Sequence, residues 1–300
     1  MIVFPTANDP CILYIMRYRI YHQLVYTYPE PVQLSPQILR LHPRCDSTQT
    51  VRTWQLTLDP PPLRRYCNVA IDGSTEVQVL YTQPISHWRI HMATEVVTYR
   101  ENPFDFLLEP WAVTLPVDYS QALAQELRPY WEAPLDPVAT TLAQELVMAT
   151  DGQVLAFLHE LNQTLYRECT HFIRPAGAPW PAGMTWQQRR GACRDLTVLF
   201  MAVCRAVGLA ARFVSGYHEG DPNWQHRHLH AWAEVYLPGG GWRGYDPTHG
   251  LAVNDRYVAL TARPRPQDTL PVTGYVLTPG VTSHLEYEIK IQPWDSDAAN

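Results

Sequence analysis

The sequence lacks the features that mark several large classes of protein. Its 300 residues carry a formal net charge of −6, whereas a nucleic-acid binder would usually show a basic patch or stripe. No apolar run is long enough to span a bilayer. The first residues have no basic stretch, and Asp9 and Pro10 interrupt their apolar run, which argues against a signal peptide. We therefore expect a cytoplasmic protein with no nucleic-acid or membrane partner.

Cysteine is scarce, and its spacing is not that of a disulfide or zinc framework. No two cysteines form a CxxC pair in the set Cys11, Cys45, Cys67, Cys169, Cys193 and Cys204. In a chain of this length the pattern does not predict a disulfide scaffold. Most of these side chains are expected to be small, buried and apolar. A cysteine with a chemical role must therefore be identified by its neighbours.

Alternation with period two dominates the first third of the chain. After an unlike N-terminal extension, residues 1–15, aromatic-rich runs with this period fill residues 16–100, separated by turn signals such as Pro60-Pro61-Pro62. Short strands at this spacing predict an all-β sandwich. Residues 101–137, where prolines recur among aromatic residues, are predicted to be an ordered linker with one short helix near residues 121–127.

A mixed region follows, which makes the predicted fold class α+β. Apolar residues at helical spacing predict three helices, Val138–Met148, Val154–Arg167 and Cys193–Val207, and a loop at Pro175–Gly183. Apolar and alternating residues predict strands at Ala211–Tyr217, Leu229–Leu237, Trp242–Asp246 and His284–Ile291. We assign residues 138–265 to a core of helices on an antiparallel sheet. Residues 266–300 form a C-terminal segment, whose last strand could complete either sheet.

Cys193 stands where a helix is predicted to begin. Gly191 precedes it and allows another part of the backbone to come close. The unpaired N–H groups and the positive dipole end of a helix N-terminus favour a thiolate over a thiol. Asp195 would lie in the same turn, where capping is the expected role of a carboxylate. Cys193 is therefore a candidate nucleophile.

A histidine and an aspartate are brought together by a predicted hairpin. Along the strand, His230, Trp232, Glu234 and Tyr236 share one face. The turn at residues 238–241 folds Trp242–Asp246 back, which sets Asp246 opposite Trp232 and within about one residue pair of His230. The carboxylate can then accept from one imidazole nitrogen and leave the other for the thiol. The expected arrangement is a Cys–His–Asp triad.

These motifs resemble those of a known family. The segments Gly191-Ala192-Cys193-Arg194-Asp195, His230-Ala231-Trp232-Ala233-Glu234-Val235 and Gly241-Trp242-Arg243-Gly244-Tyr245-Asp246-Pro247-Thr248 are similar to the bacterial transglutaminase-like superfamily. The resemblance also includes Gly208–Tyr217, Val253–Val258, and the region from Met16 to Val32. It implies a papain-like core, preceded by a β-rich N-terminal region, in which Cys193, His230 and Asp246 are the catalytic triad.

The resemblance also suggests where substrate groups would bind. The Cys193 N–H is the first expected oxyanion donor, and relatives draw a second from just upstream, where Trp186, Gln187 and Gln188 are the candidates. Trp232, Trp242 and Glu234 are candidates for the substrate groove, although packing around the hairpin is the favoured role for the two tryptophans. A peptide or protein is the expected substrate.

Histidines near the triad raise a rival interpretation. His218, His226, His228 and His249 lie close to His230 in the sequence, and histidines two apart on a strand can chelate a metal. No carboxylate or cysteine stands at a familiar ligand spacing to them, so we predict no metal and no other cofactor. A polar loop at the mouth of the site is the simpler explanation.

The expected function is hydrolysis of an amide bond through a thioester acyl-enzyme. The same triad would serve a transglutaminase, in which an amine replaces water as the acceptor, and the residues do not distinguish the two. Water is always present, which favours hydrolysis unless the site excludes it. A peptide-binding module without turnover is the alternative outside enzymes. Neither the substrate nor the oligomeric state follows from the sequence.

Overall fold

Two antiparallel sheets form the N-terminal part of the protein. The computed structural model describes residues 15–132, 134–220 and 227–294, so the predicted extension lies, except for its last residue, outside the described residues. The six strands of this part are β1 Met16–Val32, β2 Gln37–Leu39, β3 Gln49–Asp59, β4 Arg64–Val69, β5 Thr75–Leu80 and β6 Ile85–Thr98. The two sheets bury a shared set of apolar side chains that includes Ile20, Val79 and Ile90. The predicted β-sandwich region is thus confirmed.

Helices occupy the middle of the chain. They are α1 Gln121–Trp131, α2 Pro137–Ala149, α3 Val154–Glu168, α4 Ala182–Gln188 and α5 Cys193–Ala206, and the short strands β7 Thr170–His171 and β8 Arg190–Gly191 pair in parallel beside α4. The sequence predicted α2, α3 and α5 to within two residues at each end. It predicted α1 four residues too short, and it did not predict α4.

A five-stranded antiparallel sheet follows the helices. Its strands are β9 Ala211–His218, β10 His230–Leu237, β11 Gly241–Asp246, β12 Leu251–Ala252 and β13 Tyr257–Arg263, in the order β12-β11-β10-β9-β13. Helix α5 lies against this sheet and buries Leu196, Leu199, Phe200 and Val203. The α+β class and the papain-like arrangement of helices on a sheet are therefore as expected.

The C-terminal segment returns to the N-terminal sheets. Strand β14, Val272–Thr273, pairs with β2, and strand β15, His284–Pro293, pairs with β1 over ten positions, from Tyr18 opposite Pro293 to Thr27 opposite His284. The last strand, which the sequence left unassigned, therefore completes the N-terminal sheet at one edge.

The N-terminal sheets pack directly on the second sheet. Tyr217 on β9 and Val258 and Leu260 on β13 belong to the same apolar cluster as the β-sandwich core. The Gln49 amide donates to the Ala259 carbonyl at 2.9 Å and accepts from the Ala259 N–H at 2.7 Å. Strands β9 and β13 thus serve both cores. Among the helices that the structure describes, none combines the length and apolar character needed to cross a membrane.

Candidate active site

Cys193 is the first residue of α5, as the sequence predicted. The buried Asp195 side chain fixes this helix start: its Oδ2 accepts the Ala192 N–H at 2.8 Å, and its Oδ1 accepts the Trp180 N–H at 2.8 Å and Arg174 Nη2 at 2.6 Å. A carboxylate in the first turn of a helix is favoured by the dipole. Asp195 is therefore a capping residue that also holds the preceding loop against the helix.

Gly191, two residues before Cys193, lies where the backbone packs closely against neighbouring side chains. A Cβ at this position would lie 2.9 Å from Asp195 Cβ and 3.1 Å from Thr185 Cγ2. Both neighbours are fully buried, so neither has room to move away. A residue larger than glycine would push β8 away from the turn that places the thiol.

The hairpin of β10 and β11 brings His230 to Asp246. Ala233 pairs with Tyr245, so the next position in register sets Asp246 across from Trp232. His230 Nε2 donates to Asp246 Oδ2 at 2.7 Å. This bond leaves Nδ1 of His230 for the thiol, and Cys193 acts on His230 through a hydrogen bond and through its charge. The structure thus brings together the three residues that the sequence singled out.

The electrostatics of this group favour a charged imidazole. Burial disfavours the imidazolium form of His230. The negative charge of Asp246, together with the hydrogen bonds that His230 makes with Asp246 and Cys193, outweighs burial and raises the pKa of His230 to about 10. Burial likewise works against the Asp246 carboxylate, yet the His230 charge and the hydrogen bonds hold the pKa of Asp246 well below its usual range. At neutral pH the site therefore contains an imidazolium beside the Cys193 sulfur.

Asp246 receives more donors than a simple triad would give it. Its Oδ2 also accepts His249 Nδ1 at 2.7 Å and Tyr257 Oη at 2.9 Å, and its Oδ1 accepts the Thr248 N–H at 2.9 Å. Burial and the Asp246 charge raise the pKa of Tyr257 well above its usual range, so the phenol keeps its proton. Four donors beside a fully buried carboxylate hold it in one orientation.

Sequence reasoning did not find the second group of residues around Asp246. His249 follows Asp246 by three residues in the same turn, a spacing that was available as a signal. Tyr257 lies eleven residues on and in a strand that was not predicted. His218 stacks on Tyr257 with ring centroids 4.4 Å apart, and burial, together with the nearby His230 and His249 charges, lowers the pKa of His218 to about 3. His218 is therefore a neutral side chain that packs beside Tyr257.

Among the described residues, one group of side chains could supply metal ligands, and it contains two of the histidines considered from the sequence, His230 and His249, together with Asp246. Donor atoms of His230, Asp246 and His249 lie within 4.8 Å of one another. His230 Nε2 and His249 Nδ1 both donate to Asp246 Oδ2, so hydrogen bonds explain why the three side chains lie together. His228 bonds to Tyr287 instead, and His226 lies outside the described residues. The absence of a metal remains a prediction.

The oxyanion candidates Trp186, Gln187 and Gln188 form the last turn of α4, which leads through Arg189 and β8 to Cys193. The Arg189 guanidinium lies 3.4 Å from the centre of the Trp186 ring, and the two glutamine residues are exposed. This position next to the nucleophile agrees with the expected neighbourhood. The choice among the three residues, and their role, stay predictions.

Two of the three substrate-groove candidates, Trp232 and Glu234, are buried and do not line an open groove, so this expectation is corrected for them. Glu234 is buried between two arginines, Arg212 at 2.6 Å and Arg44 at 3.1 Å. Trp232 is 1% exposed and packs edge-on against Tyr257. The alternation placed Trp232 and Glu234 on the His230 face correctly, but that face is covered by the rest of the protein.

Trp242 lies at the other end of the hairpin. Its ring packs against Tyr130 and Tyr236, with centroids 4.9 and 5.4 Å away, and the Arg212 guanidinium lies 4.1 Å from its centre. Trp242 is therefore a packing residue of the hairpin and is remote from the triad in the strand register.

Comparison with known proteins agrees with this class of site, a papain-like thiol centre on helices and a sheet. The family model described as "Transglutaminase-like superfamily" matches residues 140–247, and the model described as "Bacterial transglutaminase-like N-terminal region" matches residues 18–97. The chain therefore contains a region similar to the transglutaminase-like core, preceded by a region similar to the bacterial transglutaminase-like N-terminal region.

Individual relatives extend over different parts of the chain. An uncharacterised protein of Mycobacterium tuberculosis strain H37Rv is 26% identical over 94% of both chains. A protein-glutamine gamma-glutamyltransferase of Pseudomonas aeruginosa is 31% identical over 129 residues, 39% of this chain and 19% of that one. The solved structure of a candidate cysteine protease from Cytophaga hutchinsonii, 19% identical, superposes with a TM-score of 0.72 over 94% of this chain and 92% of that chain. This last likeness shows the fold.

Proposed function

We propose that the protein is a cysteine-dependent amide hydrolase that acts on peptide-like substrates through a thioester. One observation carries the proposal: a charged His230 lies between the Cys193 thiol and a buried, fully hydrogen-bonded Asp246. A structural cysteine would need none of this arrangement. The matched nucleophile, base and orienting carboxylate are the parts that acyl transfer requires.

The first half of the reaction forms the acyl-enzyme. The Cys193 thiolate attacks the carbonyl carbon, a C–S bond forms, and the carbonyl π electrons move to oxygen. The C–N bond then breaks as the His230 imidazolium gives its proton to the leaving nitrogen. Asp246 keeps the ring in place and stabilises its positive charge while the imidazolium exists.

The developing oxyanion needs donors that are in place beforehand. The Cys193 N–H lies in the first turn of α5, where no preceding turn supplies an intrahelical acceptor. We assign it as the first donor, with the second from Trp186, Gln187 or Gln188 at the end of α4. Loss of one such donor typically slows an enzyme by about a hundredfold or more.

The second half returns the enzyme to its starting state. Water attacks the thioester, His230 takes its proton, and collapse of the intermediate breaks the C–S bond to release an acid. An amine in place of water would yield a new amide. The similarity over 129 residues to a protein-glutamine gamma-glutamyltransferase makes transglutaminase activity the second candidate. A peptide-binding module without turnover is the third, and a cytoplasmic location is part of the same proposal.

The product of a single-turnover experiment tests these alternatives. A mixed set of short peptide amides and glutamine-containing peptides is incubated with the protein, with and without a primary amine. The products are identified by mass spectrometry. Hydrolase activity predicts acids whether or not amine is present, and transferase activity predicts amine adducts. Both products must disappear in the Cys193→Ala variant. Peptide binding with neither product in the wild type would leave the binding module as the function.

A further inference from the structure

Arg194 carries a partly buried guanidinium in the first turn of α5. Arg194 directly follows the nucleophile, and the charges of Cys193 and Tyr287 both act on its guanidinium. Tyr287 Oη contacts His228 Nδ1 at 2.6 Å, two residues before the catalytic histidine on the chain. Because Tyr287 belongs to β15, the terminal strand forms one wall beside the helix start. The Arg194 guanidinium is therefore within electrostatic reach of both the reacting sulfur and Tyr287.

Arg194 forms no ion pair with an acidic side chain of the described residues, although the Asp195 charge acts on it from farther away. Across residues 15–132, 134–220 and 227–294, no carboxylate lies within 4.0 Å of its guanidinium. The nearby Asp195 already accepts from Arg174, Trp180 and Ala192. Burial and the positive charge of Arg174 lower the pKa of Arg194. A cation in the first turn of a helix is also disfavoured by the dipole, so the chain keeps this charge where folding alone does not favour it.

Part of the guanidinium is committed to the protein and part is open. Nε donates to the Gly177 carbonyl at 3.1 Å and Nη2 donates to the Ala176 carbonyl at 2.8 Å. A guanidinium has five N–H groups, so three have no acceptor among the described residues. Two parallel N–H groups of this fork match the two oxygens of a carboxylate. The loop carbonyls thus orient the fork and leave an edge for a ligand.

We propose that Arg194 binds a carboxylate of the acyl donor, so that the active site prefers peptides with an acidic group beside the amide that is attacked. This inference rests on the proposed function and names its substrate class. Arg190 is exposed and also has no carboxylate within 4.0 Å among the described residues, but it lies on β8, outside the helix that carries Cys193. The whole chain has a net charge of −6, so the positive charge of Arg194 is a local feature of the site.

Two alkylating reagents of nearly equal size test the proposal without a known substrate. Iodoacetate carries a carboxylate and iodoacetamide does not, and in both the thiolate displaces iodide. The ratio of their rates at Cys193 should fall about tenfold in Arg194→Gln, since a charge-assisted hydrogen-bond pair is lost. Arg194→Lys should lie between, because it keeps the charge without the fork. Arg190→Gln, the matched control, should change the ratio about twofold at most.

A binding measurement keeps the test independent of chemistry at sulfur. N-acetylglutamate and N-acetylglutamine are titrated calorimetrically into the Cys193→Ala protein, which is expected to bind N-acetylglutamate more tightly. In the double variant Cys193→Ala with Arg194→Gln, this preference for N-acetylglutamate should be lost. An iodoacetate-to-iodoacetamide ratio that Arg194→Gln leaves unchanged, or equal binding of the two ligands, overturns the carboxylate site. A thiol that reacts with neither reagent overturns the proposed function alone, and the titration still decides on Arg194.

Discussion

Asp246 is the residue on which the hydrogen bonds of the site converge. His230, His249 and Tyr257 all donate to its Oδ2, and its Oδ1 accepts the Thr248 N–H. A carboxylate held by several donors keeps its charge, and this charge is the main influence that raises the pKa of His230 against burial. The state of the base is thus set by a residue that does not touch the substrate.

Replacing Asp246 by Asn should remove the charge on His230 at neutral pH. With Asp246 present, the pKa of His230 is about 10, so the ring stays charged through about pH 8. Without the negative charge, burial lowers that pKa, and the ring becomes neutral at lower pH. An NMR titration of the His230 ring measures this shift directly. Asp268→Asn, which affects an exposed ion pair with Arg265, is the control and should leave the titration unchanged; an unchanged titration in Asp246→Asn would contradict the account.

At this scale the sequence identified the triad but not its surroundings. Cys193, His230 and Asp246 follow from a helix start and a hairpin register, which are local patterns. Tyr257 reaches Asp246 only because β13 crosses to pair with β9, a long-range pairing that no local pattern encodes. The burial of Trp232 and Glu234 depends on what covers their face of the sheet, and alternation alone does not state that.

At the level of elements, β13 and α4 show where pattern reading fails. Every residue of β13 is buried, so the strand lacks the apolar–polar alternation of a half-buried strand. Helix α4 has seven residues and contains Gly183, which makes its helical period too short to detect. Both elements border the active site, one through Tyr257 and the other through the turn into Cys193.

Strand β9 has a position that tolerates only glycine. A Cβ on Gly216 would overlap the Val258 carbonyl oxygen and the Trp232 ring, and Gly216 pairs with His230. Gly216→Ala should therefore lower the free energy of unfolding by about 1–3 kcal/mol and slow alkylation of the nucleophile. Urea unfolding and thiol labelling measure the two effects.

The control for this prediction is Gly208→Ala. Gly208 has a φ of +81° and no atom within 4 Å of an added Cβ, so its replacement should cost about 1 kcal/mol and leave the labelling rate unchanged. Equal effects of the two substitutions on labelling would show that β9 does not position the base.

The whole molecule is held together by a buried charge cluster between its two parts. Glu234 on β10 pairs with Arg212 on β9 and with Arg44, which lies in the connection between β2 and β3. Burial opposes the Glu234 carboxylate, but the two arginines outweigh it and lower its pKa to about 2 from 4.5. The shared strands and the return of β15 to β1 add to this connection. The sequence did not predict it, because each member looks like an ordinary strand or loop residue.

Acid should weaken this connection in a defined window. The pKa of Glu234 is lower in the folded than in the unfolded chain, so its stabilisation is complete above about pH 4.5 and is lost as the pH falls toward 2. The loss is roughly 3 kcal/mol. Glu234→Gln should remove this part of the pH dependence and destabilise the protein at neutral pH by about 3–5 kcal/mol, because two buried cations lose their partner.

Urea unfolding at several pH values, with Glu95→Gln as control, measures both effects. Glu95 forms a partly exposed ion pair with Arg19, for which about 0–1 kcal/mol is expected. If Glu234→Gln costs no more than Glu95→Gln, the buried cluster does not hold the two parts together.

The central claim is that Cys193 is an activated nucleophile, and its reactivity relative to the other cysteines tests it most directly. Cys45 and Cys67 are exposed, whereas burial raises the pKa of Cys169 to about 11 and raises that of Cys204 further. The protein is treated with iodoacetamide at about pH 6.5, where ordinary thiols react slowly, and each cysteine is quantified by peptide mapping. We expect labelling of Cys193 at least about tenfold faster than that of Cys45 or Cys67, and loss of this advantage in His230→Gln. Equal labelling of the three, or an advantage that survives His230→Gln, would contradict the account.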